Sequence, residues 1–182
     1  SNITVQNLDI AHNGQGILLV ATNNSLVTEN NISHADSGIF FYKSSNLAIT
    51  ENNLDNNDIC IEARRISDNN ISANTMTHGG SGISLVAGPS QNNVIYGNSI
   101  TNSSSGMYIG GLINTTIERN TITGNNGSGI GLLGAQKTLI TANTITSNSY
   151  DGIQLMIEAT ENTISKNWIA NNKIGVRIED TS

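Results

Sequence analysis

Few side chains in this sequence are suited to chemistry, and many of those stand close together. Tyr42, Lys43, Glu62, Arg64 and Arg65 fall within one short stretch, and nine of the 22 Lys, Arg, Asp and Glu residues lie between Asp36 and Asp68. The adjacent guanidinium groups of Arg64 and Arg65 can clamp a carboxylate bidentately. Asp58 and Glu62 are oxygen donors of the kind calcium takes. Phe40, Tyr42 and Tyr108 are flat faces on which a sugar ring can stack. The alternative is a solvated charge cluster compensating an irregular stretch of fold. Three histidines, His12, His34 and His78, are spaced 22 and 44 residues apart, so the first two could share a metal with Asp36 nearby. The bland alternative is that they are polar members of a turn ladder. Cys60 is the single cysteine; beside Glu62 and Arg64 it is expected to face outward, where a cation would lower its pKa. No Cys-x-x-Cys, Ser-His-Asp order or phosphate-binding glycine loop is present.

What must position these residues is a repeat. An Asn followed by an apolar strand residue recurs at Asn7, Asn30, Asn52, Asn74, Asn98, Asn120, Asn143 and Asn167, with steps of 22 to 24 residues. A second anchor runs in phase: Gly16-Ile17, Gly38-Ile39, Asp58-Ile59, Gly82-Ile83, Gly106-Met107, Gly129-Ile130, Gly152-Ile153 and Gly175-Val176. Helical repeats are longer than this, and the leucine-rich pattern is absent. Apolar residues alternate in short runs, which is strand periodicity, and Gly, Asn, Asp and Ser fill the gaps as turn formers. The reading is all-β: a parallel β-helix solenoid of about eight coils with a period of about 23 residues. At about 4.8 Å per stacked strand, eight coils span roughly 38 Å. Stacked Asn amides are expected to hydrogen-bond from coil to coil and to occupy left-handed bends, which Asn tolerates.

Composition agrees and excludes much else. Asn is 29 of 182 residues and Ile 26, while charged residues are 12% and aromatics 4%. That is too little charge for a disordered chain, and one proline excludes collagen. No apolar run is long enough to span a membrane as a helix. A net charge of −6 argues against nucleic acid as a partner.

On the strand that follows the glycine anchor, alternate residues face out: Leu18/Val20, Phe40/Tyr42, Cys60/Glu62, Ser84/Val86, Tyr108/Gly110, Gly131/Leu133, Gln154/Met156 and Arg177/Glu179. This face is largely apolar where an outer face should be polar. It is either a glycan groove or a surface covered by a flanking segment of a longer chain or by a second subunit. A Thr-x-Thr array on four coils, Thr75/Thr77 to Thr144/Thr146, resembles an ice-binding face and is equally an ordinary exposed strand surface. No capping helix closes either end, so residues 1–182 read as one domain, a fragment of a longer chain or one whose ends a partner covers.

These repeats resemble the right-handed parallel β-helix superfamily, the pectate-lyase-like fold, nearest to its short-coil group of NosD-like periplasmic proteins, alginate lyases and mannuronan C5-epimerases. The resemblance covers Asn2 to Ile178 and is carried by the two anchors, which are folding signals. It implies an extracellular or periplasmic protein whose partner is an acidic polysaccharide, bound or processed by lyase or C5-epimerase chemistry. It also admits a non-catalytic stalk or interaction module. By this resemblance Tyr42, Lys43, Arg64 and Arg65 are the candidate catalytic residues, Phe40, Glu62 and Tyr108 the substrate-binding ones, and Asp58 with Glu62 a calcium site. The epimerases' Asp-Pro-His motif is absent: the only proline, Pro89, sits in Gly88-Pro89-Ser90.

Overall fold

A computed structural model describes residues 1–179, and within them every side chain except those of Ala87 and Pro89. Its strands form three eight-stranded sheets, and every neighbouring pair is parallel. Each coil contributes one strand to each sheet. Coil one supplies Thr4–Gln6, Asp9–Ala11 and Gln15–Val20; coil eight supplies Thr163–Ser165, Trp168–Ala170 and Ile174–Glu179. No helix occurs among the described residues. The architecture is therefore the parallel β-solenoid of eight coils that the repeat implies.

The core is a set of apolar ladders. Ile17, Ile39, Ile61, Ile83, Met107, Ile130 and Ile153 stack in register along the third sheet. Ile32, Leu54, Met76, Ile100, Ile122 and Ile145 do so along the second. From coil two to coil seven these side chains are almost wholly buried. Branched aliphatics fill the pleated surface and stack on their own kind, which accounts for the isoleucine count.

A buried amide ladder turns the corner between the first and second sheets. Asn30, Asn52, Asn74, Asn98, Asn120 and Asn143 each pass an Nδ2 hydrogen to the Oδ1 of the next, at 2.9–3.0 Å, and the row ends at Asn167. The left-handed backbone lies one residue earlier, at Glu29, Glu51, Ala73, Gly97, Arg119, Ala142 and Lys166, with φ of 54–63°. Asn is thus selected here for its amide and not for its backbone tolerance. Asn7 belongs to the left-handed row (φ 56°) and not to the ladder; Leu8 takes the ladder slot, its N–H donating to Asn30 Oδ1 at 3.2 Å.

Coil three carries the main correction of register. Ile61, not Ile59, pairs with Ile39 and Ile83, so Cys60 and not Asp58 takes the anchor-glycine position. Cys60 is therefore buried (0% exposed) instead of facing out, and burial pushes its thiol up to about 12. The outward pair of coil three becomes Glu62/Arg64. Asp58 stands exposed on the corner before the strand, its carbonyl accepting the Ser81 N–H at 2.9 Å. The register slip in the third sheet falls in coil four, between Val86 and Ser90. Gly88 there has φ 96°, and a Cβ on it would meet Arg65 Cγ at 2.5 Å, so both backbone and space demand glycine.

Candidate functional site

The outer face of the third sheet collects the side chains singled out above. Strand alternation sends Phe41 inward (0% exposed) and Phe40 and Tyr42 outward. Register then sets Glu62 beside Phe40 and Arg64 beside Tyr42. Lys43 and Arg65 follow as left-handed corner residues, with φ of 51° and 57°, and the Lys43 N–H donates to Arg64 O at 3.1 Å. Six functional candidates thus share two adjacent coils. Tyr108 stands two strands further on, since Glu62 pairs with Ser84 and Ser84 with Tyr108.

The cations lie over the aromatic rings. Lys43 Nζ is 5.2 Å and the Arg65 guanidinium 5.9 Å from the Tyr42 centroid; the Arg64 guanidinium is 5.9 Å from that of Phe40. Such placement is attractive through the ring quadrupole. Arg64 Nη2 also donates to Glu62 Oε1 at 2.8 Å, while Ser37 Oγ donates to Glu62 Oε2 at 2.7 Å. Both Glu62 oxygens are thereby engaged. Lys43 and Arg65 form no salt bridge among the described residues. The cluster thus holds three cations against one carboxylate, two of them free to meet an incoming anion. The coil-one end of the face is apolar: Leu18 and Val20 are more than half exposed.

The histidines take a different place from the expected ladder. His12, His34 and His78 are left-handed corner residues with φ of 52–59°. The buried ladder runs one residue later, through Asn57, Ser103, Asn125, Asn148 and Asn172. His12 and His34 stack at 4.7 Å between ring centroids. His78 Nδ1 shares a 2.8 Å hydrogen bond with Asp55 Oδ1, which also accepts from Thr77 Oγ1 at 2.6 Å. These bonds, Thr77's first, hold the Asp55 carboxyl below its ordinary pKa. The Thr-x-Thr strands lie on the second sheet in register from Thr75/Thr77 to Thr144/Thr146. A recess of about 570 Å³ opens on the first sheet over Asn24, Leu26, Asn46 and Ala48, with Asp68 as its one charged residue.

Among the described residues no three His, Cys, Asp or Glu side chains stand together as a metal site. Asp58 and Glu62 acquire no third ligand.

Two family models match, each over more than half of the chain. Residues 64–182 match the right handed beta helix region, and residues 1–114 match the periplasmic copper-binding protein (NosD). No curated protein matches the chain. Solved structures do. The A-module of the mannuronan C-5 epimerase AlgE4 of Azotobacter vinelandii aligns over 99% of this chain and 57% of its own, at 17% identity and a TM-score of 0.81. The periplasmic alginate epimerase AlgG aligns over 97% and 51%, at 16% identity and 0.72. An alginate lyase from Paenibacillus sp. str. FPU-7 aligns over 93% and 76%, at 13% identity and 0.63. The chain thus spans about half the length of the two epimerases. Copper calls for grouped soft or imidazole ligands. Cys60 is buried, which pushes its thiol up to about 12, and among the described residues no third ligand joins His12 and His34, so these residues do not fit a copper centre.

Proposed function

The chain belongs to the right-handed parallel β-helix superfamily, and from that premise we propose that it binds an acidic, uronate-bearing polysaccharide along the outer face of its third sheet. The observation that carries this is the Tyr42 ring with Lys43 and Arg65 over it, both cations without a carboxylate partner among the described residues, on an exposed and largely apolar face. Free cations beside flat rings suit a ligand that presents carboxylates and sugar faces together. The NosD model's periplasmic description and the alginate-directed neighbours support a secreted protein of this kind.

The chemistry that follows is lyase-like or epimerase-like. Lys43 and Arg65 neutralise the uronate carboxylate, which favours loss of the proton at the adjacent C5. Tyr42, whose ring lies under both cations, is the proposed group that exchanges that proton. In elimination, the C5–H electron pair becomes a C4=C5 double bond, the C4–O bond breaks, and the leaving oxygen takes a proton. In epimerisation a proton returns to the opposite face of C5. Arg64, already held by Glu62, orients the cluster. Asp58, exposed on the corner before the strand, and Glu62 would supply the oxygen donors for calcium.

The test is equilibrium binding to acidic and neutral polysaccharides, with and without calcium, for the wild type and for Arg64→Ala/Arg65→Ala. Acidic polymers alone should bind, and the double substitution should weaken them about tenfold or more, or at least 1.4 kcal/mol. Ultraviolet absorbance of unsaturated uronate then reports elimination. Equal binding of neutral glycans, or acidic binding indifferent to both arginines, overturns the proposal.

A further inference from the structure

Resting on that reading, the outer face of the third sheet has two unlike halves. Of the eight Lys and Arg residues, three stand on it at coils two and three. The outward positions of coils four to seven carry no charge: Ser84 and Val86, then Tyr108 and Gly110, with Gly131, Leu133, Gln154 and Met156 beyond. The next cation on the face, Arg177 of coil eight, is already taken. Its Nε and Nη2 donate to Asp151 at 2.8 and 3.2 Å, and its Nη1 to Glu179 at 3.2 Å.

In the middle of this uncharged half lies Tyr108. A Cβ built on Gly110 would sit 3.4 Å from Tyr108 Cε1, and one on Gly131 would sit 3.8 Å from Cδ2. These atoms are on opposite edges of the ring. The ring therefore lies down across two glycine positions, one on its own strand and one on the next coil. Met156 Cε lies 3.5 Å from the same Gly131 Cβ position. No cation lies over Tyr108, whereas Phe40 and Tyr42 are both covered. It is the open stacking platform of the face.

A polymer with a carboxylate on every sugar, laid along the axis, would hold carboxylates over four coils that offer no cation. Desolvating an unpaired carboxylate against Val86, Leu133 and Met156 is strongly unfavourable. The geometry points instead to an acidic heteropolysaccharide. Its uronate engages Lys43, Arg64 and Arg65, and an uncharged sugar stacks on Tyr108, about 10 Å along the axis at two strand spacings from Glu62.

Two probes decide it: alginate, in which every residue is a uronate, and hyaluronan, in which uronate alternates with an uncharged sugar. Hyaluronan should bind the wild type about tenfold more tightly than alginate, a difference of 1.4 kcal/mol. Tyr108→Ala should remove that advantage, while Tyr108→Phe, which keeps the ring, should retain it. Alginate binding as tightly as hyaluronan, or Tyr108→Ala leaving hyaluronan unchanged, overturns the inference. If alginate still depends on Arg64 and Arg65 in that case, the uronate reading survives without it. Failure of the wild type to bind either polymer overturns both.

Discussion

The inside and the outside of a coil are separated by one residue and governed by different neighbours. Asn98 is buried: its Nδ2 donates to Asn120 Oδ1, Ile71 O and Tyr96 O, and its Oδ1 accepts the Asn74 N–H and Nδ2 hydrogens. Gly97, immediately before it, turns in the left-handed region, and a Cβ there would meet nothing within 4 Å. The equivalent outer corners hold Glu29, Ala73, Arg119 and Lys166, chemically unrelated residues. An inside position answers to the coils above and below it. An outside position answers mainly to water, and is free to acquire a function.

The sharpest form of this comparison is a pair of asparagine substitutions. Asn98→Ala leaves buried donors and acceptors on three coils without partners, and should destabilise the fold by about 3 kcal/mol. Asn102→Ala changes a left-handed outer corner (φ 54°) where alanine already serves at Ala21, Ala73 and Ala142, and should cost about 1 kcal/mol or less. Urea midpoints at equal slope measure both. Similar losses at the two sites would break the distinction.

Cys60 shows how inside positions constrain one another. In the other coils glycine holds this slot because a Cβ would strike the next coil: on Gly16 it would lie 2.5 Å from Gly38 O, and on Gly82 2.8 Å from Gly106 O. Coil four makes room for the cysteine. Gly79 stands where neighbouring coils have the ladder residues Asn57 and Ser103, and a Cβ on it would sit 3.0 Å from Cys60 Sγ. Met76, unbranched and adaptable, replaces the branched ladder residue at that level. The thiol thus fills space that a polar ladder side chain fills elsewhere. Cys60→Gly should leave a cavity and cost about 1–2 kcal/mol, and Gly79→Asn should overpack by a similar amount. Together they restore the ordinary coil, so a double-mutant cycle should show about 1 kcal/mol or more of favourable coupling. Additive losses would show that the two positions do not share that space.

The same exchange explains what was readable in the sequence. The period and the stacking of parallel strands follow from two anchors recurring at 22 to 24 residues, because stacking repeats each requirement coil after coil. The frame slipped by two residues in coil three because Cys60 occupies the glycine slot there, and Asp58-Ile59 mimics the missing anchor. Gly79-Gly80, a doublet in coil four, was the available signal that a side chain from coil three needed room. The gathering of Phe40, Tyr42, Lys43, Glu62, Arg64 and Arg65 was legible, since 22 residues later means directly above. Their pairing was not: the Glu62–Arg64 bridge, the Ser37 bond and the ring-covering cations depend on rotamers that no repeat specifies. Tyr108's posture was likewise hidden, because it is set by two glycines on different coils.

One cluster crosses the divide and offers the smallest test. Asp55, Thr77 and His78 are outside residues, yet they bind one another across coils at 2.6 and 2.8 Å. The Thr77 hydroxyl is the largest cause of Asp55's lowered pKa, with His78 next. A carboxyl whose folded pKa is depressed adds stability above its unfolded pKa and loses it as pH falls through the lower folded value. Asp55 therefore contributes fully above its ordinary value of 3.8, and the contribution fades only in stronger acid. Thr77→Val removes the main donor, so the Asp55 carboxyl should titrate closer to 3.8 in an NMR pH series, and the small stability it adds near neutrality should shrink. An unchanged titration would mean that water replaces the hydroxyl at no loss, as expected of an ordinary outside residue. A clear rise would show that coil-to-coil coupling reaches the outer surface wherever polar side chains stack in register.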